Sequence, residues 1–317
     1  MDLLYTFGQQ IVGAIASREL RRACGRMKRN AQLDRIRMES RVLIDAHHHL
    51  WKYNEQDYAW MSDDALRPLR RDFLTVDLME ATRSSDVRGA IAVQVRQSLL
   101  ETEWLLEIAA RNSLVLGVVG WVPLCSPEVN SILERFAHDQ KLKGVRHIVQ
   151  DEPDNDFMLR VDFNRGVALL KDFGFAYDIL IFERHLAQAI EFVDRHPQQV
   201  FVVDHVAKPR IKENLISPWE ERIRELAKRE NVYCKVSGMV TEADWSGWSV
   251  QQLRPYFDVV LSAFGSCRLM FGSDWPVLTL AGDYDSWVRT FQSFIAELSP
   301  AEQTRISSGT ARELYRV

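Results

Sequence analysis

The feature that most constrains the fold is a series of eight short apolar runs, which alternate with helical patterns from residue 42 onward. The runs are rich in Val, Ile and Phe, as is usual for parallel strands buried on both faces. We predict strands at 42–46, 89–95, 115–122, 144–149, 176–181, 200–205, 232–236 and 269–271. Eight parallel strands separated by helices close a barrel. The order of elements therefore predicts an α/β fold, the (β/α)8 TIM barrel.

Helical patterns fill the gaps between these strands. We predict helices at 103–111, 127–140, 164–173, 184–195, 250–264 and 284–298, with Gly174 as a C-cap. The segments 217–220 and 299–302 both read Ser-Pro-x-Glu, a capping box with proline at the first helical position. A doubly wound open sheet is the alternative fold. It usually shows a glycine-rich turn after the first strand, and this sequence has none there.

The first 40 residues differ in charge from the remainder. They carry a net charge of +4, whereas the whole chain of 317 residues has −4. We predict an N-terminal extension over 1–40, poorly ordered or helical, and one barrel domain over 41–317. The basic cluster follows the apolar stretch at 3–16, the reverse of a secretory signal. Met38, just before the first strand, is a candidate for the true start of the chain.

Composition and patterning disfavour several classes of function. No apolar run approaches the ~20 residues that cross a bilayer. The basic segment 18–37 lacks interleaved aromatic residues, so we expect no nucleic-acid partner. The four cysteines are far apart and form no CxxC motif, which is typical of reduced thiols and indicates a cytoplasmic enzyme. We expect a small-molecule substrate, with a homo-oligomer as one option for assembly.

Two histidines end the first strand in the sequence Asp45-Ala46-His47-His48-His49. Because side chains alternate along a strand, His47 and His49 share a face and His48 points away. Active sites of TIM barrels lie at the carboxyl ends of the strands. Two adjacent imidazoles there can bind a metal or polarise a carbonyl.

Other strand ends carry polar residues of the kinds that catalysis uses. Strand six ends at His205, after Asp204, which we interpret as structural. Strand eight ends at Asp274, a carboxylate that can accept a proton from water or bind a metal. Arg146 at the end of strand four suits a substrate with carboxylate or several hydroxyl groups. Lys235 on strand seven is either a substrate ligand or an ion-pair partner.

Three stretches together resemble the amidohydrolase superfamily, and more narrowly its amidohydrolase-2 branch of sugar-lactone and dicarboxylate-lactone hydrolases. They are Ile44 to Trp51, Val203 to Pro209 and Gly272 to Val277, with support from Val93-Gln94, 101–106 and 144–153. The resemblance covers about residues 42–317 and implies a TIM barrel that opens a lactone ring. L-fuconolactone and L-rhamnonolactone are typical substrates of that branch.

The resemblance implies roles for individual residues. His47, His49 and His205 would polarise the lactone carbonyl and Asp274 would activate water. Candidate substrate contacts are Arg146, His147, Trp51, Gln94 and Lys235, and Tyr53, Trp60, Trp245 and Trp248 are further aromatic candidates for the pocket. The same three histidines and Asp274 could hold one divalent metal such as zinc, or the enzyme could be metal-independent. Strand five ends near Asp178 without a histidine, which disfavours a binuclear site.

Two other functions stay open at this point. A metal-dependent decarboxylase of the aminocarboxymuconate type shares the barrel and the HxH motif, but it requires an aromatic acid substrate. A non-catalytic binding protein on a decayed barrel predicts the loss of one of the four central polar residues. All four are present in this chain.

Overall fold

Eight parallel strands form the centre of the molecule, one for each predicted apolar run. The computed structural model describes residues 42–317, so the predicted extension 1–40 and Met38 lie outside the described residues. Each strand pairs in parallel with the next along the chain. The TIM-barrel prediction is confirmed. The strands are β1 (Leu43–His48), β2 (Val87–Val93), β3 (Val115–Gly120), β4 (Leu142–His147), β5 (Ala176–Ile179), β6 (Phe201–Val203), β7 (Val232–Val236) and β8 (Leu269–Phe271).

Hydrogen bonds between β1 and the segment just after β8 close the barrel. The backbone N–H of Asp274 donates to the carbonyl of His47 (2.8 Å), and the N–H of His49 donates to the carbonyl of Trp275 (2.7 Å). The buried Asp45 carboxylate accepts hydrogen bonds from the hydroxyls of Ser273 (2.6 Å) and Tyr284 (2.8 Å). The closure therefore places the end of β1 directly beside Asp274.

Helices surround the strands and bury their apolar faces against them. They are α1 (Thr75–Ala81), α2 (Leu99–Arg111), α3 (Val129–Phe136), α4 (Val161–Leu170), α5 (Leu186–Asp194), α6 (Trp219–Leu226), α7 (Val250–Phe264), α8 (Tyr284–Ile295), α9 (Pro300–Thr304) and α10 (Thr310–Tyr315). Tyr315 joins the cluster that fills the barrel interior, beside Ile44, Val202 and Met270. Among residues 42–317, no helix has both the length and the apolar character needed to cross a bilayer.

The predicted helix caps have different outcomes. Ser299 forms the expected capping box with Glu302, and Gly174 adopts the expected left-handed conformation with φ 68°. The prediction at Ser217 is wrong, because its hydroxyl donates to Glu221 (2.7 Å) and does not cap α6. Glu220 pairs instead with Arg224 one turn later (2.9 Å).

Candidate active site

Three imidazoles and one carboxylate meet at the carboxyl ends of β1, β6 and β8. The Oδ1 atom of Asp274 lies 3.3 Å from Nε2 of His49, 3.7 Å from Nε2 of His205 and 3.8 Å from Nε2 of His47. All four residues are buried. The structure thus brings together the four central residues that the sequence singles out, although they come from three distant parts of the chain.

The other ring nitrogen of each of these histidines has a hydrogen-bond partner. Nδ1 of His47 lies 3.2 Å from a carboxylate oxygen of Asp204, and Nδ1 of His49 lies 2.7 Å from the carbonyl of Val93. Nδ1 of His205 lies 2.9 Å from the hydroxyl of Ser237. These contacts fix the orientation of every ring, and all three Nε2 atoms point to the same place.

The tautomers of two histidines follow from these contacts. A carbonyl only accepts hydrogen bonds, so His49 carries its proton on Nδ1. The Asp204 carboxylate, at 3.2 Å, favours the same tautomer for His47, whose Nδ1 also lies 3.3 Å from the Lys235 ammonium. Their unprotonated Nε2 atoms are then 3.2 Å apart and face the Asp274 carboxylate. Such converging lone pairs require a cation or a proton between them. The ligand atoms of His47, His205 and Asp274 lie within 4.8 Å of one another. Because metal-binding histidines are typically held by a partner at the opposite nitrogen, this donor set fits a divalent metal ion.

Burial controls the ionisation of the cluster. It lowers the pKa of His47 well below its usual value and lowers the pKa of His205 to about 4. Burial by itself would raise the pKa of Asp274, but the charges of the facing imidazoles and the His49 hydrogen bond outweigh it and hold that pKa low. Near neutral pH the imidazoles of His47 and His205 are therefore neutral and the Asp274 carboxylate is ionised.

A left-handed turn aims His205 into the site. Four consecutive residues after β6, from His205 to Lys208, have φ between 48° and 61°. Each costs about 1–2 kcal/mol for an L-residue, so surrounding contacts must hold the turn. The indole of Trp219 donates to the carbonyl of Val206 (2.7 Å). Gly238 packs against the His205 ring, where any Cβ would lie 2.6 Å from Nδ1.

A buried network of charges lies beneath His47. Asp204 accepts hydrogen bonds from Arg146 (3.0 Å) and lies 3.1 Å from the ammonium of Lys235. Lys235 also binds Asp178 (2.5 Å), whose carboxylate accepts a hydrogen bond from the Tyr315 hydroxyl (3.2 Å). Asp204 is structural, as predicted, but its role is specific: it orients His47.

Lys235 does not contact the cavity, which corrects its prediction as a substrate ligand. Its side chain has no exposed surface, and its ammonium is surrounded by the carboxylates of Asp178 and Asp204. Its contacts are those of the other role that the sequence left open, an ion-pair partner. The sequence could not show that two carboxylates from other strands would pair with it inside the barrel.

Trp51 and His147 also lie away from the cavity. Trp51 is fully buried, and its indole donates to the carbonyl of Arg71 (2.9 Å). The His147 ring stacks on Phe157, with Nε2 2.7 Å from the carboxylate of Glu152. We assign both side chains to packing, because their polar atoms already have partners within the protein.

Gln94 supports Arg146 and has no contact with the cavity. Its side-chain amide donates to the backbone carbonyl of Arg146 (3.1 Å), and its backbone carbonyl accepts from the Arg146 guanidinium. Arg146 itself reaches the cavity wall, and its contact with substrate stays a prediction. Its Nη1 lies 3.0 Å from Asp204 and 3.3 Å from Nε2 of His47, so most of its donors are directed inward.

A cavity of about 330 Å³ opens above the cluster. Its wall contains His49, His205, Asp274 and Arg146, an apolar side, and the indole of Trp60 from the loop after β1. Three polar wall residues were not predicted as site residues, namely Gln150, Asp151 and Lys208. The sequence position of Lys208, three residues after His205, could have indicated that it lies near the site. The apolar side consists of Val95, Ile148, Leu180 and Val277.

A larger cavity of about 870 Å³ lies next to this one. It is formed by the loops after β5, β6 and β7, and it shares Lys208 with the smaller cavity. Its wall includes Trp245 but none of the three clustered histidines and not Asp274. We therefore place the candidate active site in the smaller cavity, where the reactive groups converge.

The sequence of this chain is similar to those of known proteins over most of its length. The sequence profile of the amidohydrolase family matches residues 44–317. The chain belongs to the amidohydrolase family. Within that family, an L-fucono-1,5-lactonase from Burkholderia multivorans is 40% identical over 285 residues, 86% of this chain and 95% of the relative. An L-fucono-1,5-lactonase from Burkholderia ambifaria is 34% identical over 278 residues, with the same shares covered.

Solved structures of other proteins share the fold of the barrel. A crystal structure of an amidohydrolase from Burkholderia multivorans with bound zinc has a TM-score of 0.83 at 38% identity, covering 87% of this chain and 99% of that chain. A 2,6-dihydroxybenzoate decarboxylase has a TM-score of 0.60 at 12% identity, over 87% of this chain and 99% of that chain. At that identity the likeness extends to the fold alone.

Proposed function

We propose that this protein is a hydrolase acting on carboxylic ester bonds, and that it opens the ring of a sugar lactone. The observation that carries the proposal is the single carboxylate, Asp274, facing three oriented imidazoles on the wall of a cavity of about 330 Å³. The two related L-fucono-1,5-lactonases, at 40% and 34% identity, support the same reaction class.

The charges on the cavity wall favour a neutral, polyhydroxylated lactone. The wall has two cationic side chains, Arg146 and Lys208, and two carboxylates, Asp151 and Asp274. Arg146 is largely engaged by Asp204. The side chains alone therefore provide no excess of positive charge for the two carboxylates of a dicarboxylate lactone. The lactonase relatives disfavour the decarboxylase alternative.

In the proposed mechanism, water attacks the carbonyl carbon of the lactone. Asp274 accepts the proton from the water, because its interactions with the facing imidazoles outweigh burial and keep it ionised at the cavity wall. The carbonyl oxygen becomes an oxyanion. Groups that stabilise this negative charge stabilise the transition state more than the bound substrate, and so they lower the activation barrier. The bond to the ring oxygen then breaks, and Asp274 returns the proton to that oxygen.

We further propose that His47, His49, His205 and Asp274 hold one divalent metal, with zinc as the candidate. The support is the donor set, in which two Nε2 atoms with defined lone pairs face a carboxylate, and the zinc-bound relative. A bound divalent ion polarises the carbonyl and lowers the pKa of water. Asp204, Val93 and Ser237 would keep the imidazoles in the orientation for binding.

The central test measures the hydrolysis of L-fucono-1,5-lactone with a pH indicator, for the wild type and for Asp274→Asn. We expect the variant to fold normally and to lose about 10²–10⁴-fold in kcat, because it cannot accept the proton. Asp244→Asn, which changes a carboxylate of the larger cavity, is the matched control and should stay active. Near-wild-type turnover by Asp274→Asn would contradict the mechanism.

A second test addresses the metal. We expect purified protein to contain about one zinc per chain, and chelation to remove both the metal and the activity, with recovery on adding zinc. His47→Ala should lower the zinc content of the protein, which is measurable without any substrate. Full activity in metal-free protein would instead favour direct polarisation of the carbonyl by the imidazoles.

A further inference from the structure

Lys208 lies at the end of the left-handed turn that carries His205. Its backbone has φ 48°, and its N–H donates to the carbonyl of His205 (2.8 Å). Its side chain lines both the active cavity and the larger one beside it. The turn therefore presents His205 and Lys208 to the same small cavity, from positions only three residues apart.

The ammonium of Lys208 has unused hydrogen-bonding capacity. Among residues 42–317, no acceptor lies within hydrogen-bond distance of its Nζ; the Glu242 carboxylate is 3.8 Å away and the centre of the Phe182 ring 5.3 Å. The side chain is only 17% exposed, so water reaches it to a limited extent. Three donors on a mostly buried ammonium, directed to a cavity, favour ligand oxygen atoms as partners.

Arg146, the other cation of the wall, is in a different situation. Its guanidinium donates to Asp204 and to the Gln94 carbonyl, and it lies close to His47. These contacts direct it towards the barrel interior. The Nε of Arg146 also lacks a partner in the described part of the chain, but the Arg146 side chain is only 3% exposed, against 17% for Lys208. Lys208 is thus the more accessible cationic donor of this wall.

We propose that Lys208 binds hydroxyl oxygens of the lactone and thereby selects polyhydroxylated lactones over unsubstituted ones. The proposal rests on the proposed lactone hydrolysis and names a residue for its specificity. The hydroxyl groups lie on the ring carbons, away from the ester bond, so Lys208 binds a part of the substrate that does not react. An ammonium held in place by a constrained turn loses little freedom on binding, which makes such a contact effective.

The test compares two substrates in wild type and Lys208→Met. One is a polyhydroxylated 1,5-lactone, and the other is δ-valerolactone, which has the same ring without hydroxyls. We expect kcat/KM for the hydroxylated lactone to fall about 10–100-fold, mainly through KM, because charged hydrogen bonds are among the stronger ones. The value for δ-valerolactone should change less than about threefold. Lys208→Arg should restore part of the loss.

Lys212→Met is the matched control, since Lys212 lines the larger cavity but not the active one. Binding of the corresponding lactams, which resist hydrolysis, is measured by calorimetry in the same proteins. Weaker binding of the hydroxylated lactam alone supports the proposal even where the wild type proves inactive on lactones. Equal losses for both ring types, or no loss for either, would overturn it.

Discussion

The two sides of the histidine cluster are built in opposite ways. Beneath His47, the buried carboxylates of Asp204 and Asp178 are paired with Arg146 and Lys235. Above the cluster, the cavity wall has the exposed indole of Trp60 and the ammonium of Lys208 without a hydrogen-bond partner in the described residues. The difference indicates that the two sides have different roles. The inner side fixes the imidazoles, and the outer side has side chains that can bind a ligand.

The strongest test of this comparison removes a charge from the inner side. Lys235→Met leaves the carboxylates of Asp178 and Asp204 buried without their ammonium partner. We expect the free energy of unfolding to fall by about 3–5 kcal/mol, because breaking a buried ion pair leaves an uncompensated charge. Denaturant titration of the variant measures this loss.

The matched change outside the cluster and its cavity is Lys212→Met, in the wall of the larger cavity. We expect its unfolding free energy to stay within about 0.5 kcal/mol of the wild type, as for most surface substitutions. Similar losses in the two variants would show that the inner network does not stabilise the fold more than the outer surface does.

A second test shifts the imidazole of His205 without replacing the histidine itself. In Gly238→Ala the new methyl group would lie 2.6 Å from Nδ1 of His205, at a backbone φ of 64° that disfavours alanine. The ring must shift, and a misplacement of about 1 Å can cost roughly 100-fold in rate. We therefore expect kcat/KM for L-fucono-1,5-lactone to fall by roughly 100-fold.

Gly247→Ala provides the control, because a methyl group there meets only the Asp244 carboxylate at 3.7 Å. This variant should retain nearly full activity. Should Gly238→Ala also retain it, close packing against His205 would not be what holds the imidazole in its catalytic position.

A third test asks how far the inner network extends. Tyr315→Phe removes the hydroxyl that donates to the buried Asp178 carboxylate. We expect a loss of about 1–3 kcal/mol in unfolding free energy, the usual cost of leaving a buried acceptor without a partner. Tyr177→Phe removes a buried hydroxyl that has no partner among the described residues, so its effect should be close to zero. Equal effects would exclude Tyr315 from the network.

The sequence predicts the barrel and the four central residues for a simple physical reason. His47, His205 and Asp274 each follow a buried apolar run, and parallel strands of a barrel bring their ends to one rim. The contacts that orient these side chains are harder to predict from the sequence. The bond between His47 and Asp204 joins residues 157 positions apart, and it decides which nitrogen of His47 carries the proton.

Side-chain direction explains the remaining errors at the site. Lys235 and Trp51 occur in the segments that the sequence assigns to the site, but one turns into the barrel and the other into the core. The left-handed turn at His205 also has no signal in the sequence, since it contains no glycine. Such a turn is held by tertiary contacts such as the Trp219 indole, 13 residues away.

The smallest expected effect concerns the outer side alone. Trp60 lines the active cavity with 42% of its surface exposed, so its indole is available to stack on the face of a sugar ring. Trp60→Ala should raise KM about threefold to tenfold, equivalent to roughly 1 kcal/mol, with kcat nearly unchanged. Trp245→Ala, which alters an indole of similar exposure in the larger cavity, should leave KM unaltered. A drop in kcat without a change in KM would instead link Trp60 to the positioning of the imidazoles, and the separation between the two sides would not hold there.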